Sequence, residues 1–484
     1  MAMKILGGEN PQEVFLKASN ILVEAVQHTL GPKGINTAVC TNSSGIYNII
    51  NDGKMIVQDL TIDDPAIAPA LQLLKQSCFE TNRMAGDGTT STILMTNALL
   101  KGAINYLKEN YKVSPIDLMN IIEDTRDKYI ESVISMTKEI TEEDYENVAT
   151  VALGGKKYAP LIADAFKFVG KDGDVTFIKE DRRDVVLDCI DGITLSKTEL
   201  PIVKLADTKE FSNIECIFIY EKVDRFAEII KILNKSAERG KKTLLFYNEM
   251  SWDASSNIYA NTGSGAIDVL PIRLGAYGTN IKVLMEMLAS YTNTEVIDGV
   301  QNKLSSITDW DKFFGKVNKA LISTNKVVIN AEGKIKENDE SNFKVSSKSC
   351  IIRVGGYNKI QQEEIYRRIE DAVASLGSAI SEGIVQGGGI TYINAFESMC
   401  SEDIPSFIGE AVEIVYKTII YNMTGLNELP EDYMCLFPNA QGNFEELNDK
   451  VFDSAMVVKE VIRNSFSLVG QMITTKKIIH EMIR

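Results

Sequence analysis

The run Gly86-Asp87-Gly88-Thr89-Thr90-Ser91 sets one carboxylate and three hydroxyls in a glycine turn that leads straight into a long amphipathic stretch. Unpaired backbone N–H groups at a helix start favour anions, and glycines let the main chain come close to phosphate oxygens. The hydroxyls of Thr89, Thr90 and Ser91 add donors, and Asp87 adds a hard oxygen ligand suited to Mg²⁺. Read alone, a motif this short is more often a glycine turn with an ordinary cap, so other residues must decide. Three more glycine turns stand beside expected helices or strands: Thr29-Leu30-Gly31-Pro32-Lys33-Gly34, Asn51-Asp52-Gly53 and Gly387-Gly388-Gly389. Neither GxxxxGK[ST] nor a complete GxGxxG occurs, which argues against a P-loop or a Rossmann site. His28 and His480 are the only histidines, so any Ser-His-Asp, Cys-His or multi-histidine metal mechanism would have to use one of them. His28 is expected to pack or to face solvent. Chemistry falls to carboxylates, hydroxyls and backbone groups.

The elements that position these turns follow from periodicity and caps. Asn10-Pro11-Gln12-Glu13 is an N-terminal helix signature, and Phe15, Ala18, Leu22, Ala25 and Val26 form the apolar stripe behind it. A hairpin-like stretch over Ala38 to Val57 is expected next, with Asn51-Asp52-Gly53 as its turn. A helix through Leu71 to Asn82 then precedes the phosphate-type turn, and Ser114-Pro115-Ile116-Asp117 opens another helix. From about residue 173 short β-branched and aromatic runs take over, at Val175 to Ile178, Ile214 to Tyr220, Thr243 to Tyr247 and Val269 to Leu274. They alternate with helical segments such as Arg225 to Arg239, the pattern of a small α/β domain. Asn338 to Ser349 reads as a polar surface connection, and helical periodicity returns after Tyr357. A helical block, an α/β insert and a second helical block fit a domain built from both chain segments with another carried on an excursion.

At 484 residues, 44% hydrophobic and 8% aromatic, the chain has the size of about three ordinary domains and the composition of a globular protein. Lys plus Arg total 51 against 67 Asp plus Glu, a net charge of -16, which disfavours sequence-independent binding to nucleic acid or an anionic membrane. Seven cysteines are scattered with no CxxC pair, and this reads as a set of reduced thiols without zinc or redox chemistry. MAMKILGGENPQEV lacks a signal peptide's apolar core and no apolar run is long enough to cross a bilayer, so a soluble, cytoplasmic protein is expected.

Taken in order, TLGPKG, NDG, AGDGTTST, RRIEDAVAS followed by EGIVQGGG, and SLVGQMITTKKII resemble the landmarks of group I chaperonins of the GroEL type. The resemblance implies a multidomain fold. A mostly α-helical equatorial ATP-binding domain would span 1–135 and 383–484, an α+β intermediate domain 136–192 and 349–382, and an α/β apical domain 193–348. It implies ATP and Mg²⁺ as cofactors, with K⁺ as a further cation. It also implies a homo-oligomeric ring, non-native polypeptide clients and ATP hydrolysis.

By matching motif, Thr29, Leu30, Gly31 and Pro32 would line the nucleotide, with Asn51, Asp52 and Gly53 beside it. Asp87 would hold Mg²⁺, and Gly88, Thr89, Thr90 and Ser91 would bind phosphates. Gly387 and Gly388 would lie near the ribose, Asn439-Ala440 on the adenine side, and Asp453 would close the pocket. Asp371 resembles the catalytic aspartate, orienting the attacking water with Asp52 nearby; on its own it reads as a solvated helix carboxylate. Gly192 and Gly383 would be hinges.

Departures gather in the expected apical domain. Ile230 and Leu233 stand where the family shows apolar client-binding residues, although either could equally pack in a core. The next helix, Asp253 to Asn261, is polar where the family is apolar. Ser347-Lys348 replaces a Gly-Gly hinge, and the residues for a pair of helices between Asn330 and Ile351 are lacking. Dependence on a co-chaperonin lid is therefore not implied with the rest. A chaperonin-like structural or holding protein without an ATP-driven cycle stays open as the alternative, while an unrelated metabolic kinase leaves the motif order unexplained.

Overall fold

Several helix starts in this chain, those of Pro11–Val26 and Pro115–Met136 among them, are written in side chains that accept from the exposed N–H groups of the first turn. Asn10 accepts from Gln12 N–H at the head of helix α1 (Pro11–Val26), with proline at the first position. The computed structural model describes residues 3–5, 10–40, 47–50, 52–171, 174–195, 198, 209–274, 280–322, 327–333, 348–399, 404–426, 436–438, 444–446 and 451–481. Strand β1 (Met3–Ile5) precedes α1. After it come the hairpin β2 (Thr37–Cys40) and β3 (Tyr47–Ile50), α2 (Gly53–Asp59), α3 (Ala68–Ala85), α4 (Thr89–Glu109) and α5 (Pro115–Met136). Ser114 and Asp117 form a reciprocal capping box at the head of α5. Then follow α6 (Tyr145–Leu153) and α7 (Ala159–Val169).

The chain next forms β4 (Asp174–Lys179), β5 (Val186–Asp191), β6 (Ile193–Leu195), β7 (Lys209–Ile219), α8 (Ile230–Arg239), β8 (Thr243–Tyr247), α9 (Trp252–Gly263), β9 (Val269–Arg273) and α10 (Ile281–Tyr291). Strands β10 (Val296–Ile297), β11 (Gly315–Ile322), β12 (Val327–Asn330) and β13 (Lys348–Val354) complete this part. The return segment holds α11 (Lys359–Glu382), β14 (Ile384–Gln386), α12 (Ile390–Met399), α13 (Ser406–Val412) and α14 (Ile414–Thr424). It closes with β15 (Leu436–Pro438), β16 (Phe444–Glu446), β17 (Phe452–Ser454), α15 (Ala455–Thr474) and β18 (Ile479–Glu481).

Two units result: residues 1–164 with 356–484, and residues 165–355. The first is mostly helical. Helix α15 is buried along most of its length and packs on α5, α4 and α3, which is why its sequence is apolar on more than one face. Tyr129 of α5 sits between Phe396 and Phe466, with centroids 5.8 Å from each, and its hydroxyl donates to the Tyr392 carbonyl. Strand β14 pairs antiparallel with β17, and β1 with β18, so the early and late parts of the chain close one body.

The second unit is α/β. Its seven-stranded sheet runs β6-β12-β11-β7-β8-β9, with β10 pairing Phe218 and Ile219 at the end of β7, beyond the stretch paired with β11. Strands β7, β8 and β9 are parallel, joined through α8 and α9, and Thr243–Tyr247 is buried throughout, as a strand covered on both faces must be. Alternate residues feed opposite faces: Phe218 and Phe246 stack at 5.2 Å in one core with α10, while Ile217, Ile219 and Leu245 join the other with α8 and α9. A smaller sheet, β4-β13-β5, carries Arg353 of β13, which donates to Asp188 at 2.5 Å and to Glu210 of β7 at 2.6 Å.

The Asn51-Asp52-Gly53 signal differs from the expectation. The described turn residues Asp52 and Gly53 do not close the β2–β3 hairpin; Asp52 accepts from Lys54 N–H at 2.7 Å and caps α2. An Asx side chain that can turn a hairpin can equally cap a helix, and here the second role wins. Helix α1 ends at Val26 and passes into a 3₁₀ turn that holds His28, whose Nε2 pairs with Thr37 Oγ1 at 2.7 Å.

Truncating Phe218 to Ala removes a fully buried ring from the parallel sheet and should cost about 3–5 kcal/mol. Hydrogen exchange read by mass spectrometry should show lost protection in β7 and β8 with α15 unchanged.

Candidate functional site

The α3–α4 turn is set by a packing limit. Gly86 and Gly88 both take left-handed φ, 81° and 98°, and a Cβ on Gly86 would lie 2.2 Å from the Ala374 Cβ of α11. Helix α11 therefore rests directly on the turn, and one helical turn back along it, on the same side, stands Asp371. A second close approach joins α2 to α4, where a Cβ on Gly53 would meet Thr90 Oγ1 at 2.2 Å. Asp52, at the head of α2, and Asp87, at the head of α4, are thus drawn to one place.

The result is a cavity of about 440 Å³ within the first unit. Of the sequence-predicted residues, Thr29, Leu30, Gly31, Pro32, Asp52, Gly53, Asp87, Gly88, Thr89, Thr90, Ser91, Asp371, Gly388 and Asp453 line it together. Gly387 stands just behind the wall, where a Cβ would meet the Phe452 backbone at 3.0 Å. Asn51, Asn439 and Ala440 lie outside the described residues. The Thr29–Pro32 loop is held from the far end of the chain: Asn422 of α14 donates to Gln27 O at 2.8 Å and Leu30 O at 2.9 Å. Ser378 of α11 pairs with Ser454 at 2.8 Å, joining α11 to β17 beside Asp453.

Sequence reasoning missed one wall. The end of α6, from Thr150 to Gly155, lines the cavity with Lys54, Arg368 and Tyr392. Arg368 donates to the Leu153 carbonyl at 3.4 Å, fixing α6 against α11. The available signal was Gly154-Gly155 closing a helix with left-handed Gly154, an unremarkable C-terminus until α11 is packed beside it.

The electrostatics are lopsided. Burial pushes the carboxyls of Asp371, Asp87 and Asp52 above the usual carboxylate range. The charges of Asp52 and Asp87 push Asp371 further, and that of Asp52 pushes Asp87. Asp453 is pushed up to about 7, by burial first and then by Asp87. Backbone donors work the other way, Gly88 N–H to Asp87 at 2.6 Å and Lys54 N–H to Asp52, but do not offset the loss of water. Four acids facing one cavity call for a cation, yet among the described residues no group of three His, Cys, Asp or Glu is arranged to hold one unaided. A cation that shares its oxygens with a bound phosphate fits this donor set, as Mg²⁺ does. The buried Thr89 Oγ1, at the first position of α4, has no hydrogen-bond partner among the described residues and fits a phosphate oxygen or a metal-bound water.

The fold is shared with solved structures, among them two crystal forms of one protein. The chaperonin gp146 from the bacteriophage EL 2 (Pseudomonas aeruginosa), in the presence of ATP-BeFx, matches in crystal form II with a TM-score of 0.72 at 16% identity. Crystal form I matches with a TM-score of 0.68 at 17% identity, and both cover 99% of each chain. Residues 22–212 match the model of the TCP-1/cpn60 chaperonin family. Part of the chain thus matches that family's model, and the whole of it has the fold of this bacteriophage chaperonin. The multidomain, GroEL-like architecture is the chaperonin fold, and the cavity between α2, α4, α6 and α11 is a feature of its first unit.

The remaining sequence-predicted residues fall outside the cavity. Gly192 is buried between β5 and β6, where a Cβ would come within 2.9 Å of Ile329 O. Gly383 ends α11 at φ 89°, beside the single bridge between Lys138 and Ile384. Ile230 is 38% exposed, but Leu233 is 2% exposed and packs with Ile232, Ile258 and Phe313. Leu233 therefore offers no surface to a client; α8 turns it toward the sheet because its apolar stripe is the core-facing one. Ser347 lies outside the described residues, and Lys348 opens β13 opposite Asp191.

The Asp453 shift has a defined sign. The native carboxyl holds its proton to about pH 7 while the unfolded one releases it near 3.8, so its contribution to stability falls as pH rises through that window and is lowest above it. In protein stripped of nucleotide and divalent cations, the urea midpoint should fall from pH 5 to pH 8, and Asp453→Asn should flatten that fall.

Proposed function

We propose that this protein is a chaperonin, an ATP hydrolase that assembles as a homo-oligomeric ring and uses Mg-ATP turnover to assist folding of non-native polypeptides. The observation that carries it is the single cavity in which a glycine-turn phosphate cradle, the unpartnered Thr89 hydroxyl and four desolvated acids converge. The ATP-BeFx present with the bacteriophage chaperonin supports nucleotide as the ligand.

In this reading the Thr89, Thr90 and Ser91 hydroxyls and the N–H groups of the first turn of α4 take the phosphate oxygens. Asp87, in the same turn, holds Mg²⁺, and Thr29 to Pro32, Asn51, Gly53, Gly387, Gly388, Asn439 and Ala440 surround the nucleoside. Mg²⁺, when bound, neutralises charge developing on the phosphoryl oxygens. Asp371 orients the attacking water and accepts its proton. Asp52, tied through Oδ1 to the head of α2, flanks Asp371, and Asp453 closes the sugar side. K⁺ is proposed only as an auxiliary cation. Residues 1–135 with 383–484 serve as the equatorial domain, 136–192 with 349–382 as the intermediate domain, and 193–348 as the apical domain, with Gly192 and Gly383 as hinges. Nucleotide state then biases their arrangement through its better fit to one of them. Ile230 remains the exposed apolar residue of α8 for a client, and the protein acts in the cytoplasm.

Asp371→Ala should lower ATP turnover by about 10²-fold or more while nucleotide affinity changes little, measured by phosphate release and by calorimetry. Unchanged turnover would remove Asp371 from the mechanism.

One observation favours a second reading, a holding protein without an ATP-driven cycle: Leu233 is in the core, and α9 presents Asp253 to solvent with Ser256 and Asn257 half-buried beside it. Refolding of a denatured client separates the two, with ATP-dependent recovery expected from a folding machine and ATP-independent retention from a holder. Negative-stain images with and without ATP should show rings.

A further inference from the structure

Strands β5 and β13 carry the chain out to β6 and back from the long excursion that forms the seven-stranded sheet. They pair antiparallel, and in that register Cys189 stands directly opposite Cys350. Cα atoms of directly opposed residues in an antiparallel pair lie about 4.5 or 5.5 Å apart, and both spacings fall inside the range of about 4.4–6.8 Å that a disulfide spans. The two sulfurs are 2.6 Å apart, and both thiols are free. Little more than the S–S bond itself, at about 2.05 Å, is missing. The pair is also asymmetric. Cys189 is exposed and Cys350 is fully buried.

We propose that Cys189 and Cys350 are a reversible oxidation site whose disulfide staples the two strands at the base of the excursion. The Cys189 thiolate attacks a low-molecular-weight disulfide such as glutathione disulfide, forming a mixed disulfide and releasing one glutathione thiol. The Cys350 thiol then loses its proton to water and attacks the Cys189 sulfur, and the second glutathione leaves as a thiolate. Two protein thiols and one glutathione disulfide become one protein disulfide and two glutathione thiols. Burial pushes the Cys350 thiol above the usual range, which makes exposed Cys189 the first to react. Cys78 and Cys216, buried and pushed up to about 12, are poor competitors. The closed loop contains every residue from 190 to 349, including Gly192, three positions from Cys189, so the staple fixes both strands from which the excursion departs.

The test uses the full chain, incubated with glutathione disulfide or with dithiothreitol, alkylated, digested and read by mass spectrometry without reduction. The expected product is one linked pair joining the peptides that contain residues 189 and 350, with a thiol count on denatured protein falling from seven to five and returning after dithiothreitol. Cys350→Ala should stop at a glutathione adduct on Cys189, whereas Cys189→Ser should leave Cys350 unmodified. Cys350→Ser serves as the isosteric control for the buried site and should behave as Cys350→Ala. A lasting glutathione adduct on Cys189 in the unaltered chain, a linkage between other cysteines, or no change in thiol count would each overturn the proposal.

Discussion

No methyl group fits between Gly86 and Ala374. That steric limit lets α11 lie on the α3–α4 turn, and everything at the site follows from it. Asp371 is carried in beside Asp87, Asp52 is drawn in from the other side by the Gly53–Thr90 approach, and α6 is held against α11 by Arg368. A larger residue at either glycine would part the elements that bear the acids.

The same closeness creates the electrostatic problem that gives the cavity its character. Several carboxyls that would each be ionised in water are desolvated within reach of one another, and their mutual repulsion adds to the loss of hydration. Such a site is poorly satisfied by the protein itself. A metal-bound polyanion supplies the cation that the acids lack and the oxygens that the helix start and the Thr89 hydroxyl can receive. Under the proposed function, filling the cavity would relieve that repulsion, and ligand binding would be coupled to the packing of α11.

Much of this was legible in residue order. The caps at Asn10 and Ser114 name their helices because only a short polar side chain can satisfy those first N–H groups. The parallel strands were visible as continuous apolar runs. What could not be read were relations created by folding. Asp52 reads as part of a hairpin turn because Asx chemistry serves turns and helix caps alike. The end of α6 carries no sequence signal, because nothing in Thr150 to Gly155 speaks of a cavity until α11 is beside it. Leu233 could not be assigned to core or surface before the sheet beneath α8 was known. The opposition of Cys189 and Cys350 exists only in the register of β5 on β13.

Asn422 clasps the Thr29–Pro32 loop, and Phe452, Asp453 and Val457 form a wall of the cavity that begins with α1's successor loop. A ribosome must therefore deliver the chain through β17 and the start of α15 before the pocket has all its sides. Prematurely terminated translation products that stop ahead of β17 would carry the glycine cradle yet leave it open, so the molecule withholds a finished site from its own fragments.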